Sequence, residues 1–289
     1  QNFNKQLIVV RYFTIMGHLS TQIYNGYFRL GPTAYREKVR FFEENPDAIS
    51  RLDFDDRIEM EFISQELSNV PENSTFNANR EKPWGTAHAI WVARNVIKEP
   101  FGVINADDYY GVDSFCQLAD FLTESHKNNT DDYAVVAYYL RNTLSDHGTV
   151  NRGVCNMDTL SRNLIDVKEC VKIKRDADGI IRYPENEGTV TLSEDSLVSM
   201  NMWGFLPSYF VYCDEIFRDF LQREGMELTS EFYIPVLVDT LIKRGTLNVK
   251  VIDTESDWFG VTYQGDKPFV MEKINHLIDQ GVYPSKLWI

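Results

Sequence analysis

Long apolar runs are missing from this 289-residue chain. The longest, Ala134 to Leu140, is about seven residues, against the roughly 18 or more needed to cross a bilayer, so no membrane span is expected. Basic residues are outnumbered, 29 against 43 acidic, for a formal net charge of −14. Nucleic-acid binders need a basic face that releases counterions, so DNA and RNA are not expected partners. Small anions stay accessible, because a metal ion and a few backbone N–H groups can reverse the local sign. Cysteine is sparse: Cys116, Cys155, Cys170 and Cys213 are too widely spaced for a zinc knuckle or a redox Cys-x-x-Cys pair and read as reduced thiols of a cytoplasmic protein. The first twenty residues lack the compact apolar stretch and cleavage site of a signal peptide. The sequons at Asn73 and Asn128 carry no weight without a secretory context. His88 and His147 have no ligand-spaced partners and read as satisfied surface histidines. Neither internal repeats nor low-complexity tracts occur.

What is present suffices for a full core, with 43% hydrophobic and 13% aromatic residues in a chain long enough to bury most of its surface. Ile58, Met60 and Phe62 alternate with Glu59 and Glu61, the pattern of a half-buried strand ending near Gln65. Pro71 to Arg80 reads as a loop. Gly85-Thr86 opens a helical segment with Thr86 as its cap, and Pro100 closes it. The apolar run 101–105 suits a buried central strand. Phe115, Leu118, Ala119 and Leu122 have helical spacing, and 133–140 supplies another strand. Strand, helix and strand in succession predict a parallel sheet with covering helices. The middle differs: 150–157, 164–171, 172–175 and 180–183 are short extended runs, the last two joined by the hairpin turn Asp178-Gly179. These predict an antiparallel insertion. A buried strand (199–205), helices (209–223 and 232–244), a strand (248–253) and a closing helix (267–280) follow. The fold class is α/β, with a mixed, mostly parallel sheet.

Ligands of open α/β sheets sit at the carboxyl ends of the strands, which directs attention to the residues after Asn105. Asp107 and Asp108 lie there. Two hard carboxylates suit Mg²⁺; a tight turn or helix cap explains them equally. Upstream, a glycine at 85 would let a flat base approach the backbone, and the following helix start offers N–H donors. The amide of Gln65 has the donor and acceptor that a nucleobase edge requires. Each of these also has an ordinary structural explanation.

The ordered set is more specific than its members. Gln65-Glu-Leu67, Lys82-Pro-Trp-Gly-Thr-Ala-His-Ala-Ile90 and Phe101-Gly-Val-Ile-Asn-Ala-Asp-Asp-Tyr-Tyr-Gly111 together resemble the sugar-phosphate nucleotidyltransferases, the nucleoside-diphosphate-sugar pyrophosphorylase family, and within it an uncharacterised bacterial branch. Similarity continues at Asn151-Arg-Gly-Val154, Ser199-Met-Asn-Met-Trp-Gly-Phe205 and Asp257-Trp-Phe-Gly-Val-Thr-Tyr263, covering roughly Tyr35 to the C-terminus. The resemblance implies a Rossmann-like nucleotidyltransferase fold forming a single domain over 1–289. In it, 35–145 is the nucleotide side, 146–289 is the sugar side with the C-terminal helices, and 1–34 does not match.

The activity implied is Mg²⁺-dependent transfer of a nucleotidyl group from a nucleoside triphosphate to a sugar-1-phosphate, releasing pyrophosphate. Such chemistry rests on positioning and charge neutralisation. By resemblance, Gln65, Gly85 and Thr86 bind the nucleotide, and Asp107 is catalytic and holds the metal with Asp108. Gly153, Glu169 and Asn201 hold the sugar. Lys172 is the catalytic, phosphate-contacting lysine, although the family's Glu-Lys-Pro run appears here as Glu169-Cys-Val-Lys172. A homo-oligomer is allowed, and the base and sugar are left open.

Two departures stand against the family pattern. Many relatives carry a second metal-binding aspartate after the C-terminal Trp, where Trp258-Phe-Gly260 has glycine. The glycine-rich triphosphate loop, Ala-Ala-Gly-x-Gly-Ser/Thr-Arg, is not found; Met16-Gly17, after the apolar run Leu7 to Val10, is the nearest remnant. Either the loop lies upstream of Gln1 or residues 1–34 have replaced it. Two other readings therefore stay open: a non-catalytic relative that binds a nucleotide or nucleotide sugar, and a glycosyltransferase using Asp107-Asp108 in place of an Asp-x-Asp motif. Tyr133, Tyr138, Tyr139 and Trp203 read as core and pocket lining. Cys155 and Cys170 could face one another across the inserted strands, but they read as reduced and buried.

Overall fold

The computed structural model describes residues 7–11, 63, 65–105, 108–145, 148–186, 188–260 and 267–283. The strand expected before Gln65, and with it Asp107, His147 and Met16-Gly17, falls outside the described residues. The elements in chain order are β1 (Leu7–Arg11), α1 (Thr86–Trp91) continued by a 3₁₀ turn (Val92–Asn95), β2 (Phe101–Asn105), β3 (Asp108–Tyr109), α2 (Val112–Asn128) and β4 (Tyr133–Tyr139). After them come β5 (Val150–Met157), β6 (Leu164–Arg175), β7 (Ile181–Glu185), β8 (Gly188–Leu192), β9 (Leu197–Phe205), α3 (Ser208–Glu224), α4 (Ile234–Lys243), β10 (Val249–Thr254), β11 (Phe259–Gly260) and α5 (Lys267–Asp279).

The fold is mixed α/β, with helices packed on a central sheet and an antiparallel insertion formed by β5 to β8. Its pairing is less parallel than the sequence pattern predicts. Among the described ladders, β10 with β4 is parallel and the others are antiparallel. The cause is β9, the return strand from the inserted hairpins. It lies between β2 and β4 and runs against both, so β2 and β4, which point the same way, are kept from bonding to each other. β1 is also reversed, with Leu7 opposite Asn105 and Arg11 opposite Phe101. β1 therefore ends, at Arg11, beside the end of β2 remote from Asn105. The insertion is simpler than expected on one point, since 164–175 is a single strand.

Packing follows from the sequence. All five residues of β2 are buried, as a central apolar run requires. Gly102 of β2 pairs with Gly204 of β9, and this paired gap in the side-chain layer receives α2. A Cβ at Gly204 would lie 2.6 Å from Leu118 Cδ1, and one at Gly102 3.1 Å from Leu118 Cδ2. Tyr133, Tyr138 and Trp203 are in the core, as expected. Cys155, Cys170 and Cys213 are buried and free, and Cys116 is free and exposed. Cys170 opposes Arg152 and Cys155 opposes Val167, so the two insertion thiols do not face each other.

A second, small core stands apart. Tyr109, Phe259, Val270, Ile274 and Tyr283 form it, with Tyr109 stacked on Phe259 at 4.3 Å between ring centroids and the Tyr109 and Tyr283 hydroxyls 3.1 Å apart. It docks α5 on the β3–β11 ribbon. No described helix is long and apolar enough to cross a membrane.

Candidate functional site at a gap in the sheet

β4 follows one edge of β9 throughout, whereas the other edge is shared. β2 pairs with β9 at residues 203–205 and β5 at 198–199. Between them the β4 register jumps from Met202 opposite Val136 to Ser199 opposite Ala137, leaving Met200 and Asn201 as a bulge. Asn201 has a left-handed backbone, φ 63°. Bulges bend a strand and re-aim its side chains, and this one coincides with a gap in the pairing, residues 200–202, between the end of β2 and the start of β5. Asn105 and Arg152 border it from opposite sides.

A buried network holds the β2 side. Asp108 Oδ2 accepts from Asn105 Nδ2 at 2.7 Å and from the Tyr110 hydroxyl at 3.2 Å. The same hydroxyl reaches Met200 O at 2.9 Å, inside the bulge, and accepts the Asn105 N–H at 3.0 Å. Tyr138 donates to Tyr110 O at 2.8 Å. With its Nδ2 engaged by Asp108, Asn105 keeps a buried Oδ1 that has no hydrogen-bond partner among the described residues. Such orphaned acceptors are rare in interiors. A carboxylate and an amide oxygen are the hard donors that Mg²⁺ favours, with water and phosphate completing the shell, so the residues fit that ion. No group of three or more His, Cys, Asp or Glu that could hold a metal occurs among the described residues.

Gly260 explains the missing second aspartate. It pairs with Asp108 across the β3–β11 ribbon, and a Cβ there would lie 2.7 Å from Asp108 Oδ1 and 3.1 Å from the Trp258 ring. The Asp108 carboxylate occupies the space a side chain at 260 would need.

On the β5 side, Gly153 pairs with both Glu169 and Ser199. The three residues expected to hold a sugar, Gly153, Glu169 and Asn201, thus lie on three neighbouring strands around the bulge. Lys172 stands apart from them at a second bulge, on β6, exposed and with φ 57°. Its N–H donates to Asn151 Oδ1 at 2.8 Å.

The remaining expected residues form a separate cluster. Gln65 Nε2 donates to Gly85 O at 2.9 Å and contacts His88 Nδ1 at 3.0 Å, so both amide protons are spent and Oε1 is the group left for a base edge. Gly85, not Thr86, caps α1. Thr86 Oγ1 instead accepts the N–H of Ile234 at 3.1 Å, and the N–H of Ala87 goes to Phe232 O at 3.0 Å. Gly85 itself, with φ 106° and ψ −175°, is pressed against Phe232, where a Cβ would sit 2.6 Å from the carbonyl oxygen. Its close neighbour is the chain's own backbone.

His88 is buried rather than on the surface. Its Nε2 contacts Asn69 O at 2.6 Å, which fixes the proton there and makes Nδ1 the acceptor for Gln65. Burial chiefly, with Arg94 and Arg80 adding to it, pulls its pKa down to about 4 against the Asn69 bond. The unfolded imidazole takes its proton near pH 6.5, so the contribution to stability is full above about 6.5 and falls as pH drops toward 4. Between pH 7 and pH 4 this loss is about 3 kcal/mol. Urea unfolding of wild type and His88→Gln at both pH values should show that much extra acid sensitivity in the wild type.

Sequence reasoning passed over Asn105, Tyr110 and Arg152. All three lie in quoted segments, but none is of a residue type that signals its role without the fold. An open depression of about 550 Å³ lies elsewhere, between α2, β10 and the turn around Ser161. Its cations are engaged, Arg162 by Asp253 and Lys250 by Asn163.

No protein-family model matches the chain, and no curated protein matches it. Among solved structures it is similar to one described as a glucose-1-phosphate thymidylyltransferase from Bacillus anthracis, in complex with sucrose, at 14% identity and a TM-score of 0.42 over 72% of this chain and 66% of that one. It is similar also to an apo UDP-glucose pyrophosphorylase, at 15% identity and a TM-score of 0.42 over 68% of this chain and 62% of that one. The match thus spans just under two thirds of each neighbour's length.

Proposed function

We propose that this chain is a nucleotidyltransferase acting on a sugar-1-phosphate, built as a single domain. The observation that carries the reading is the gap at the β9 bulge. Supporting it, Asn201 lies in the bulge, Gly153 and Glu169 lie on the two strands next to it, and Tyr110, bonded to Asp108 and Asn105, reaches into it at Met200. In the reaction a phosphate oxygen of the sugar-1-phosphate attacks the α-phosphorus of a nucleoside triphosphate in line, and pyrophosphate leaves with the bonding pair. Asp107 and Asp108, with Asn105 Oδ1, would hold Mg²⁺, which when bound supplies the charge neutralisation this transfer requires. Glu169 and Asn201 accept and donate to sugar hydroxyls. Gln65 offers Oε1 to a base N–H beside Gly85 and Thr86.

The test is pyrophosphate release over a panel of nucleoside triphosphates and hexose-1-phosphates, with and without EDTA. Turnover with one pair, abolished by EDTA and restored by Mg²⁺, is expected. No turnover with any pair overturns the enzyme reading. A second reading, a relative that binds a nucleotide sugar without making one, is favoured by Gly260, which pairs with Asp108 and leaves no room for a second carboxylate there. Tight binding of a nucleotide sugar with no pyrophosphate release would select it.

A further inference from the structure

The cation of the site is Arg152 rather than Lys172: we propose that its guanidinium receives the phosphate oxygens of the sugar-1-phosphate. This deepens the reading above and rests on it. Arg152 precedes Gly153 near the start of β5, and the carboxylates that act on its charge are those of Asp108 and Glu169.

A guanidinium has five N–H donors in a planar fork. In Arg152, Nε donates to Thr143 Oγ1 at 3.2 Å, Nη2 to Thr143 O, and Nη1 to Asn151 O at 2.8 Å. Its plane is backed by the Trp258 ring, 4.9 Å from the ring centroid. Two N–H groups, one on each terminal nitrogen, are left uncommitted among the described residues. Every fixed partner is neutral. Arg141, Arg162, Arg175, Arg182 and Arg244 each have a carboxylate in direct contact, whereas Arg152 has none among the described residues. Asp108 and Glu169 stand close enough to support its charge against burial, which pulls its pKa to about 10.

Arg152 is half-buried, and a partly desolvated cation without a contacting anion favours an anionic ligand. A fork anchored on its rear edges, with donors remaining at the tips, matches the bidentate geometry of a phosphate. Lys172 lacks this preparation, being exposed on β6 and fixed through its main chain. Asn151 serves both, accepting from Arg152 with its carbonyl and from the Lys172 N–H with its side chain.

Calorimetric titration of the whole chain with glucose-1-phosphate, inorganic phosphate and free glucose tests this without turnover. Arg152→Met should weaken both phosphate-bearing probes by about 10- to 100-fold while leaving glucose unchanged. Arg152→Lys should retain part of the binding, and Lys172→Gln should stay within about twofold of wild type, the margin of a surface charge. Thr143→Val removes one anchor and keeps the charge. If it weakens phosphate as much as Arg152→Met and lowers the melting temperature equally, Arg152 is an anchor only and the proposal falls. It also falls if Lys172→Gln, not Arg152→Met, loses phosphate, or if wild type binds neither phosphate probe. Phosphate binding that depends on Arg152 in a chain with no pyrophosphate release would sink the enzyme reading and leave this inference standing.

Discussion

Gly85→Ala is expected to destabilise the protein by roughly 3–5 kcal/mol, the largest effect of any methyl-sized change in the candidate site. Two costs add. At φ 106° and ψ −175° the backbone lies in a region open essentially to glycine alone. The new Cβ would also sit 2.6 Å from Phe232 O and 2.9 Å from Phe232 N, and these atoms cannot withdraw freely. Phe232 is bonded to Trp84 O and to the Ala87 N–H, and the neighbouring Ile234 N–H to Thr86. Urea unfolding measures the loss directly. A variant within about 1 kcal/mol of wild type, the ordinary cost of a mild substitution, would show that the backbone contact is dispensable. If the glycine served only the approach of a base, the substitution would instead spare stability and abolish nucleotide binding, so the two measurements separate the explanations.

Asp108→Asn is expected to lower kcat for pyrophosphate release about 100-fold or more, the scale of removing one preorganised electrostatic group, with little change in melting temperature. The amide preserves shape, and its oxygen can still accept from Asn105 and Tyr110, the two donors that hold Oδ2. What goes is the negative charge beside Asn105 Oδ1 that acts on Arg152. Initial rates at saturating substrate, alongside a thermal melt, check both halves. Retention of more than about a tenth of wild-type kcat would remove Asp108 from the catalytic set, since such groups are worth more.

How much was legible in sequence depends on how local each cause is. β2 and α2 were readable because burial of one face or one run imposes its own period. The direction of β9 was not, since antiparallel insertion between β2 and β4 is decided by pairing with residues far away in sequence. The bulge was hidden for the same reason: Ser199-Met-Asn-Met reads as ordinary strand until the β4 register shows two residues too many. Thr86 looked like a cap because it begins the helix, yet its hydroxyl is claimed by Ile234. Aspartates announced themselves by type and position. Arg152 sat in a quoted segment, but nothing in Asn-Arg-Gly signals that the guanidinium is drawn in against Trp258.

The ribbon that carries Asp108 is held by α5 through a small core of its own, separate from the one beneath the sheet. Units with few buried contacts open first, with their own free energies. The molecule therefore has a built-in order of loss: detaching one terminal helix would loosen the aspartate from the gap while the sheet stays folded. On the proposed function, activity should therefore be lost at a lower temperature than the sheet.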